Sequence, residues 1–463
     1  MARATLSFAG SRFEPASCFA KGELSMFARN PLCTLVGLAL LLAVVSIAWV
    51  PPEPAVAPRA PAFESVAASN VGPEITISER NSAEYSPAIA YNSKHNEYLV
   101  VWENDWGGGY HDIYAQRISG SGQLLSWFAL TTVHSQTNPA VAYDPVNDRY
   151  LVVWAYDSYG DGSNWDVYGR FVPWNGPPNP TDFPICTWPS NQGHPAVAYG
   201  RAQQEFLVVW KSEATGVPGY ISARRVFAAG GFPPGDGFTI SSGTQIRDFP
   251  DVAYNLARNE YLVTWDLELS ASNIDIWGMR LRGDGVPLTG GSPTVTGEFA
   301  IAGWPSFEAA PAVAACAAAD QYLVAWQSDQ GPYENNYAIY ARYLNGDAVP
   351  GHVYEIDDTT SPELNVDVDC NLAGDRYLLA WQTRYANPQH YGIWARTAWP
   401  NESLPPQFAV KLPGTATDRE YPAVAGGRTG YLVAWEHQRD SGGNRDIHGR
   451  LLQYAVHLPL LLR

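Results

Sequence analysis

One five-residue pattern, Tyr98-Leu99-Val100-Val101-Trp102, returns six more times and constrains the fold more than any other feature of the chain. The later copies end on Trp154, Trp210, Trp265, Trp326, Trp381 and Trp435, at steps of 52, 56, 55, 61, 55 and 54 residues. A period that long and that regular excludes a coiled coil or a leucine-rich solenoid and marks seven copies of one unit. Within each unit four apolar segments recur, here named A to D. Segment A is Pro87-Ala-Ile-Ala-Tyr91 and its copies at Pro139, Pro195, Pro250, Pro311 and Pro422, with Asn365-Val-Asp-Val-Asp369 in the sixth unit. Proline opens it, where a missing N–H does least harm to a ladder. Segment B is the Tyr-Leu-Val-Val-Trp stretch, reached through a short turn such as Asp144-Pro-Val-Asn-Asp148, so A and B read as a hairpin.

Segment C is Asp112-Ile-Tyr-Ala-Gln-Arg117, echoed at Asp166 to Arg170, Asp275 to Arg280 and Asp446 to Arg450. Three or four residues separate its Ile or Val from its Arg, so the arginines share one side only if a bulge absorbs the extra residue. Segment D is short, as in Phe128-Ala-Leu130, Phe238-Thr-Ile240, Phe299-Ala-Ile301, Tyr354-Glu-Ile356 and Phe408-Ala-Val410. Segments A and B are apolar on both alternating faces and must be covered above and below. A radial stack of four-stranded sheets supplies that cover from its neighbours. The expected fold is therefore all-β: a seven-bladed β-propeller of four-stranded antiparallel blades. No D segment follows Arg450, whereas an unused one, Glu74-Ile-Thr-Ile-Ser78, precedes the first unit. The ring is expected to be closed by this N-terminal strand, with Tyr454 to Leu458 as the competing choice.

Composition agrees. Aromatic residues make up 13% of the 463 positions and charged residues only 16%, with 41 Gly and 36 Pro for the corners. The net charge of −17 argues against nucleic acid, whose phosphates it would repel. Leu32 to Val50 is uncharged and apolar behind Arg29, which reads as a signal peptide or a membrane anchor. Met26 is an alternative start. The expected organisation is a leader over 1–50, a Pro/Ala-rich linker over 51–73, the propeller over 74–453 and an apolar tail over 454–463. The repeats are expected outside the cytoplasm as a monomer, meeting membrane only through the N-terminal segment. Cys18 and Cys33 fall in the leader. Cys316 and Cys370 occupy the same position in neighbouring units, where they either form a disulfide or stay as small buried thiols, and Cys186 is left over.

With these motifs in view, the repeats resemble those of uncharacterised secreted bacterial β-propeller proteins over residues 74 to about 452. The resemblance implies the propeller fold and carries no activity or residue role. The tail from His457 to Arg463 is similar to the Leu-Pro-Leu segments that end many exported proteins of filamentous phototrophic bacteria, which implies surface sorting.

Propeller ligands sit where the B–C and D–A loops converge at one mouth of the axial channel. Three residues beyond the tryptophan stand Asp105, Asp157, Glu213, Glu268 and Asp329 in the first five units. Because they repeat, they read first as acceptors for N–H groups in their own turns, and second as an acidic rim. Departures from the repeat are sharper clues. The loops of the first two units bring together Asp105, Trp106, Tyr110 and His111, and Asp157, Tyr159, Asp161 and Trp165. These eight are the candidate ligand-binding residues. No cofactor is expected, with Ca²⁺ the one candidate: aspartates at Gly-rich spacing could hold it, although the EF-hand order is absent and Ser158 to Trp165 misses a sialidase Asp-box by one residue. His111, His194, His390 and His437 lie in or near mouth loops, and no catalytic residue is assigned. The expected function is a non-catalytic scaffold binding an extracellular protein or glycan. The competing one is a glycoside hydrolase or lyase, which needs only two carboxylates about 5–10 Å apart.

Overall fold

The structure is a computed structural model that describes residues 71–453 except 133, 161, 163, 236, 289–296, 331–336, 358–360, 387–388, 401–416 and 440–442. The leader, most of the linker, the C-terminal tail, Asp161 and the Phe408 segment lie outside the described residues. The rest forms seven antiparallel sheets, six with four strands and one with three. The three-stranded sheet is the sixth blade, for which strand D is expected at Phe408, outside the described residues. The A strands of consecutive blades adjoin one another around the axis, and the strand of blade 7 meets that of blade 1.

The facing of strand B explains the pattern that organises the sequence. In Tyr-Leu-Val-Val-Trp the first, third and fifth side chains face the preceding blade, and the second and fourth face the following one. Leu99 and Val101 of blade 1 accordingly pack with Tyr150, Val152 and Trp154 of blade 2, and Leu151 and Val153 of blade 2 with Phe206, Val208 and Trp210 of blade 3. All seven tryptophans are fully buried. The tyrosine also hooks backward: Tyr377 Oη donates to the Gln321 carbonyl at 3.0 Å and Tyr431 Oη to that of Arg376 at 2.8 Å.

The strand C arginines divide between the two sides, and no bulge realigns them. Strands B and C pair without a register shift opposite the motif, so Arg170 faces Val152 while Arg117 faces Leu99. Arginines opposite the third motif residue reach back to the preceding blade, as Arg224 does to the Ile185 carbonyl at 2.6 Å and Arg342 to that of Ile301 at 2.6 Å, except Arg450, which bonds Gly72 and Glu74 at the closing segment of its own blade. Those opposite the second residue reach forward, as Arg117 does to Gly176 at 3.0 Å. One residue of spacing thus selects which neighbour is latched.

Closure follows the N-terminal strand. Ile75–Ser78 pairs with strand C of blade 7, Arg445–Gln453, in the register Ile75 to Gly449 and Thr76 to His448. Pairing starts before residue 74, because Val71 bridges Leu452 and Gly72 N–H donates to the Leu451 carbonyl at 2.8 Å. A disulfide joins Cys316 and Cys370, the last residues of strand A in blades 5 and 6, with their Cα atoms 5.5 Å apart. Cys186 is buried at the end of strand D in blade 2. Deleting residues 71–80 exposes the edge of Arg445–Gln453 and uncovers Leu432 and Ile447. A single melting transition at lower temperature is expected by calorimetry, and unchanged stability would reject this closure.

Candidate functional site

Strand A begins with an unusual backbone. Ser86, Asn138, His194, Phe249, Ala310, Asn365 and Tyr421, one per blade, all have φ between 44° and 53°. Six of them precede a proline, a position that disfavours helical conformations and makes the left-handed one costly for a non-glycine residue. Each marks the bulge where strands A and B lose register. The bulge turns the residue's N–H toward the neighbouring blade. At five junctions the side chain just after the strand B tryptophan of the preceding blade accepts it. Glu436 takes Ser86 N–H at 2.8 Å, Glu103 takes Asn138 at 3.2 Å, Asp266 takes Ala310 at 3.0 Å, Gln327 takes Asn365 at 3.0 Å and Gln382 takes Tyr421 at 2.9 Å.

Blade 3 breaks this ring on both sides, because Ala155 and Lys211 stand where acceptors are needed. Asp248 replaces the second of them, at the junction with blade 4. Its Oδ1 accepts its neighbour Phe249 N–H at 2.7 Å and lies 2.7 Å from His194 Nδ1, while Oδ2 accepts from Lys211 Nζ at 2.8 Å. Phe249 stacks on His194 with ring centres 4.4 Å apart. Burial raises the Asp248 pKa, but the bonds to His194 and Lys211 outweigh it and hold the carboxyl below its ordinary value. The seven bulge residues and their prolines line a cavity of about 400 Å³ at the axial mouth.

A second cavity of about 520 Å³ opens beside it across blades 7, 1 and 2. Its walls carry Tyr85, Tyr421 and Trp165 together with Glu103, Glu436 and Arg445. Arg445 Nη1 donates to Glu436 Oε2 at 2.7 Å and pairs with Glu420. Burial lifts the Glu436 carboxyl to about 7 against the opposing effects of the Ser86 N–H and Arg445. On the blade 1 side His111 Nδ1 lies 2.7 Å from Glu103 Oε1, and that bond raises the imidazole pKa.

The eight expected residues separate into groups. Trp165 lines the larger cavity, and His111 reaches it through Glu103. Trp106, Tyr110 and Tyr159 stand on the rim, 52%, 63% and 71% exposed; the Trp106 indole is pinned by Asp112 Oδ2 at 2.7 Å. Asp105 and Asp157 hold their own turns: Asp105 accepts Gly107 N–H at 2.6 Å, and Asp157 accepts those of Tyr159, Gly160 and Gly162 at 3.2, 2.9 and 2.7 Å. Asp161 lies outside the described residues. Tyr85, Tyr421, Phe249, Glu436 and Arg445 went unselected. A signal for two of them exists in the sequence: the residue before the strand A proline differs in each of the six blades that have that proline, and Phe249 and Tyr421 are two of its forms.

Strand A of blade 6 differs in another way. Asp367 and Asp369 replace alanines and bridge to blade 7, accepting the N–H groups of Val424 at 2.6 Å and Gly426 at 2.7 Å. Asp251 does the same from blade 4 to Val313 at 2.7 Å. Desolvation in the channel wall pushes Asp367 up to about 8 and Asp369 to about 6, against the lowering effect of these bonds.

Two predictions follow from these contacts. Gln327→Ala strands the Asn365 N–H and should cost about 1–3 kcal/mol in urea unfolding, whereas Gln327→Glu, the residue used in blades 1 and 7, should be tolerated. Asp367 holds its proton in the fold and loses it near 3.8 in the unfolded chain, so its contribution to stability is present at acid pH and lost as pH rises from about 4 to 8. The melting temperature should fall across that window, and Asp367→Asn should flatten the fall.

No protein-family model matches the chain, and no curated protein does. Among solved structures it is similar to the β-propeller domain of the trilobed protease from Pyrococcus furiosus, at 8% identity and TM-score 0.48, covering 81% of this chain and 99% of that one. It is also similar to an α-L-arabinofuranosidase of Fusarium graminearum, at 10% identity and TM-score 0.45 over 83% and 97% of the two chains, and to the Hadza microbial sialidase Hz136, at 10% identity and TM-score 0.44 over 66% of each. These likenesses concern the fold alone, and the seven sheets themselves make the chain a seven-bladed β-propeller.

Proposed function

We propose that the protein is an exported glycan-binding propeller that holds its ligand at the B–C end of the ring, across blades 7, 1 and 2. The observation that carries this reading is the one-sided distribution of aromatic surface. Among the described residues, Trp106, Tyr110, Tyr159, Phe249 and Tyr421 are exposed at that end, against Trp399 at the opposite end and Trp127 on the outer strand of blade 1. They surround the cavity in which Tyr85, Tyr421 and Trp165 offer apolar ring faces beside Glu103, Glu436 and Arg445. Sugars present apolar C–H faces and a fringe of hydroxyls, and a wall of rings interleaved with charged hydrogen-bonding groups complements both.

Hydrolysis in the same groove is the second reading, favoured by the Glu436 carboxyl at about 7, a suitable range for a general acid. Against it, both Glu436 oxygens are committed, one to the Ser86 N–H and one to Arg445. A glycan and polysaccharide array probed with the purified protein tests the proposal. A hit should weaken about tenfold in Tyr421→Ala and Trp165→Ala, the order expected for one lost ring contact, and be unchanged in Trp399→Ala. Equal loss in all three variants would reject this face, and release of reducing sugar from a hit would establish the enzyme instead.

A further inference from the structure

The seam that closes the ring carries a side-chain cluster with no counterpart in the other blades. Opposite the strand B tryptophan, strand C places Tyr114, Tyr168, Trp277, Tyr340 and Trp394 in five blades and Ser222 in blade 3, but His448 in blade 7. Two residues beyond the tryptophan, where the other blades have Asn104, Tyr156, Ser212, Leu267, Ser328 and Thr383, blade 7 has His437. The two imidazoles stack with centres 4.1 Å apart and planes 20° from parallel. His448 Nδ1 lies 2.8 Å from Glu74 Oε1 on the segment leading into the N-terminal strand. His437 Nδ1 is buried and has no hydrogen-bond partner among the described residues.

We propose that Glu74, His437 and His448 bind a divalent transition ion such as Zn²⁺, which cross-links the two ends of the chain. Each offers one ligand atom, and these atoms lie within 4.8 Å of one another. A tetrahedral ion with two nitrogen ligands, one carboxylate oxygen and a water uses this donor set, with small rotations of the stacked rings to converge on it. The unpartnered His437 nitrogen gains a partner in the process, and the ion replaces the proton between His448 and Glu74. Glu74 Oε2 is already held by Arg419 at 3.1 Å and Arg450 at 3.3 Å, which aims Oε1 at the histidines as an outer shell does. The same two guanidiniums repel cations. Selectivity therefore falls to ions whose imidazole bonds are strong, such as Zn²⁺, Co²⁺ and Cu²⁺, and Ca²⁺ and Mg²⁺ are excluded.

The repeat itself supplies the control. His448→Tyr and His437→Ser install residues that other blades carry at these positions, so the double variant is expected to fold. Tag-free, metal-stripped protein titrated with Co²⁺ should develop visible d–d absorption saturating at one ion per chain, and Zn²⁺ should raise the melting temperature where Ca²⁺ does not. The double variant should bind Co²⁺ at least about tenfold more weakly and lose the Zn²⁺ effect. Absence of the absorption in the native chain, an unchanged titration in the variant, or an equal response to Ca²⁺ would each overturn the proposal. Should the double variant fail to fold, His437→Ser alone carries the same comparison.

Discussion

Burial of strand B from both sides is the constraint on which the rest of the structure depends. A sheet whose central strand has no wet face cannot persist alone, so every blade requires two neighbours and the ring requires closure. The other recurrent devices serve the same interface. The tyrosine hooks to the preceding blade, the strand C arginine reaches one neighbour or the other, and the residue after the tryptophan holds the next blade's bulge. None of these bonds is large individually. Their effect is angular: they fix how one blade is rotated against the next, which apolar contact alone specifies poorly.

The ring of left-handed residues shows how a strained backbone is retained. Each bulge holds a non-glycine residue at positive φ ahead of the axial mouth, and an acceptor from the neighbouring blade secures its N–H at five junctions. Side chains at these positions point into the mouth region and vary freely, because the constraint falls on the main chain. Where Lys211 stands in place of an acceptor, Asp248 takes the Phe249 N–H and gathers His194 and Lys211 around itself. Mouth chemistry is thus altered by substitution at positions the fold already tolerates.

Much of this was legible in the sequence and some was not, for identifiable reasons. The period of the tryptophans and the two-sided apolarity of strands A and B lead directly to a closed ring, and the unused segment at Glu74 gives its closure. Cys316 and Cys370 both end strand A of their blades but are one residue apart in register, Cys316 opposite Gln321 and Cys370 opposite Tyr377, because Asn365 takes the bulge position and not that of the proline. The one-residue difference in arginine spacing meets no bulge in the structure, so it becomes a change of neighbour, a choice that spacing alone leaves open. Asp105 and Asp157 were correctly suspected of holding their own turns. Most of the cavity wall is hidden in the sequence because Tyr421, Glu436 and Arg445 belong to blade 7, far from the Gly-rich loops of blades 1 and 2, and only ring closure brings them beside Tyr85 and Glu103 of blade 1.

The seam has a geometric corollary. Strand C runs from the B–C loops toward the A–B turns, and Ile75–Ser78 lies antiparallel to it. The chain therefore enters at Val71 and leaves at Gln453 on the same end of the disc, away from the aromatic mouth. Anything joined through either point holds the disc from beneath, like a dish on a stem, and presents the aromatic side outward. Tension applied at Val71 bears first on a single non-covalent strand, while the Cys316–Cys370 bond joins blades 5 and 6 and cannot share it. Resistance to pulling is thus decided at the lip of blade 7.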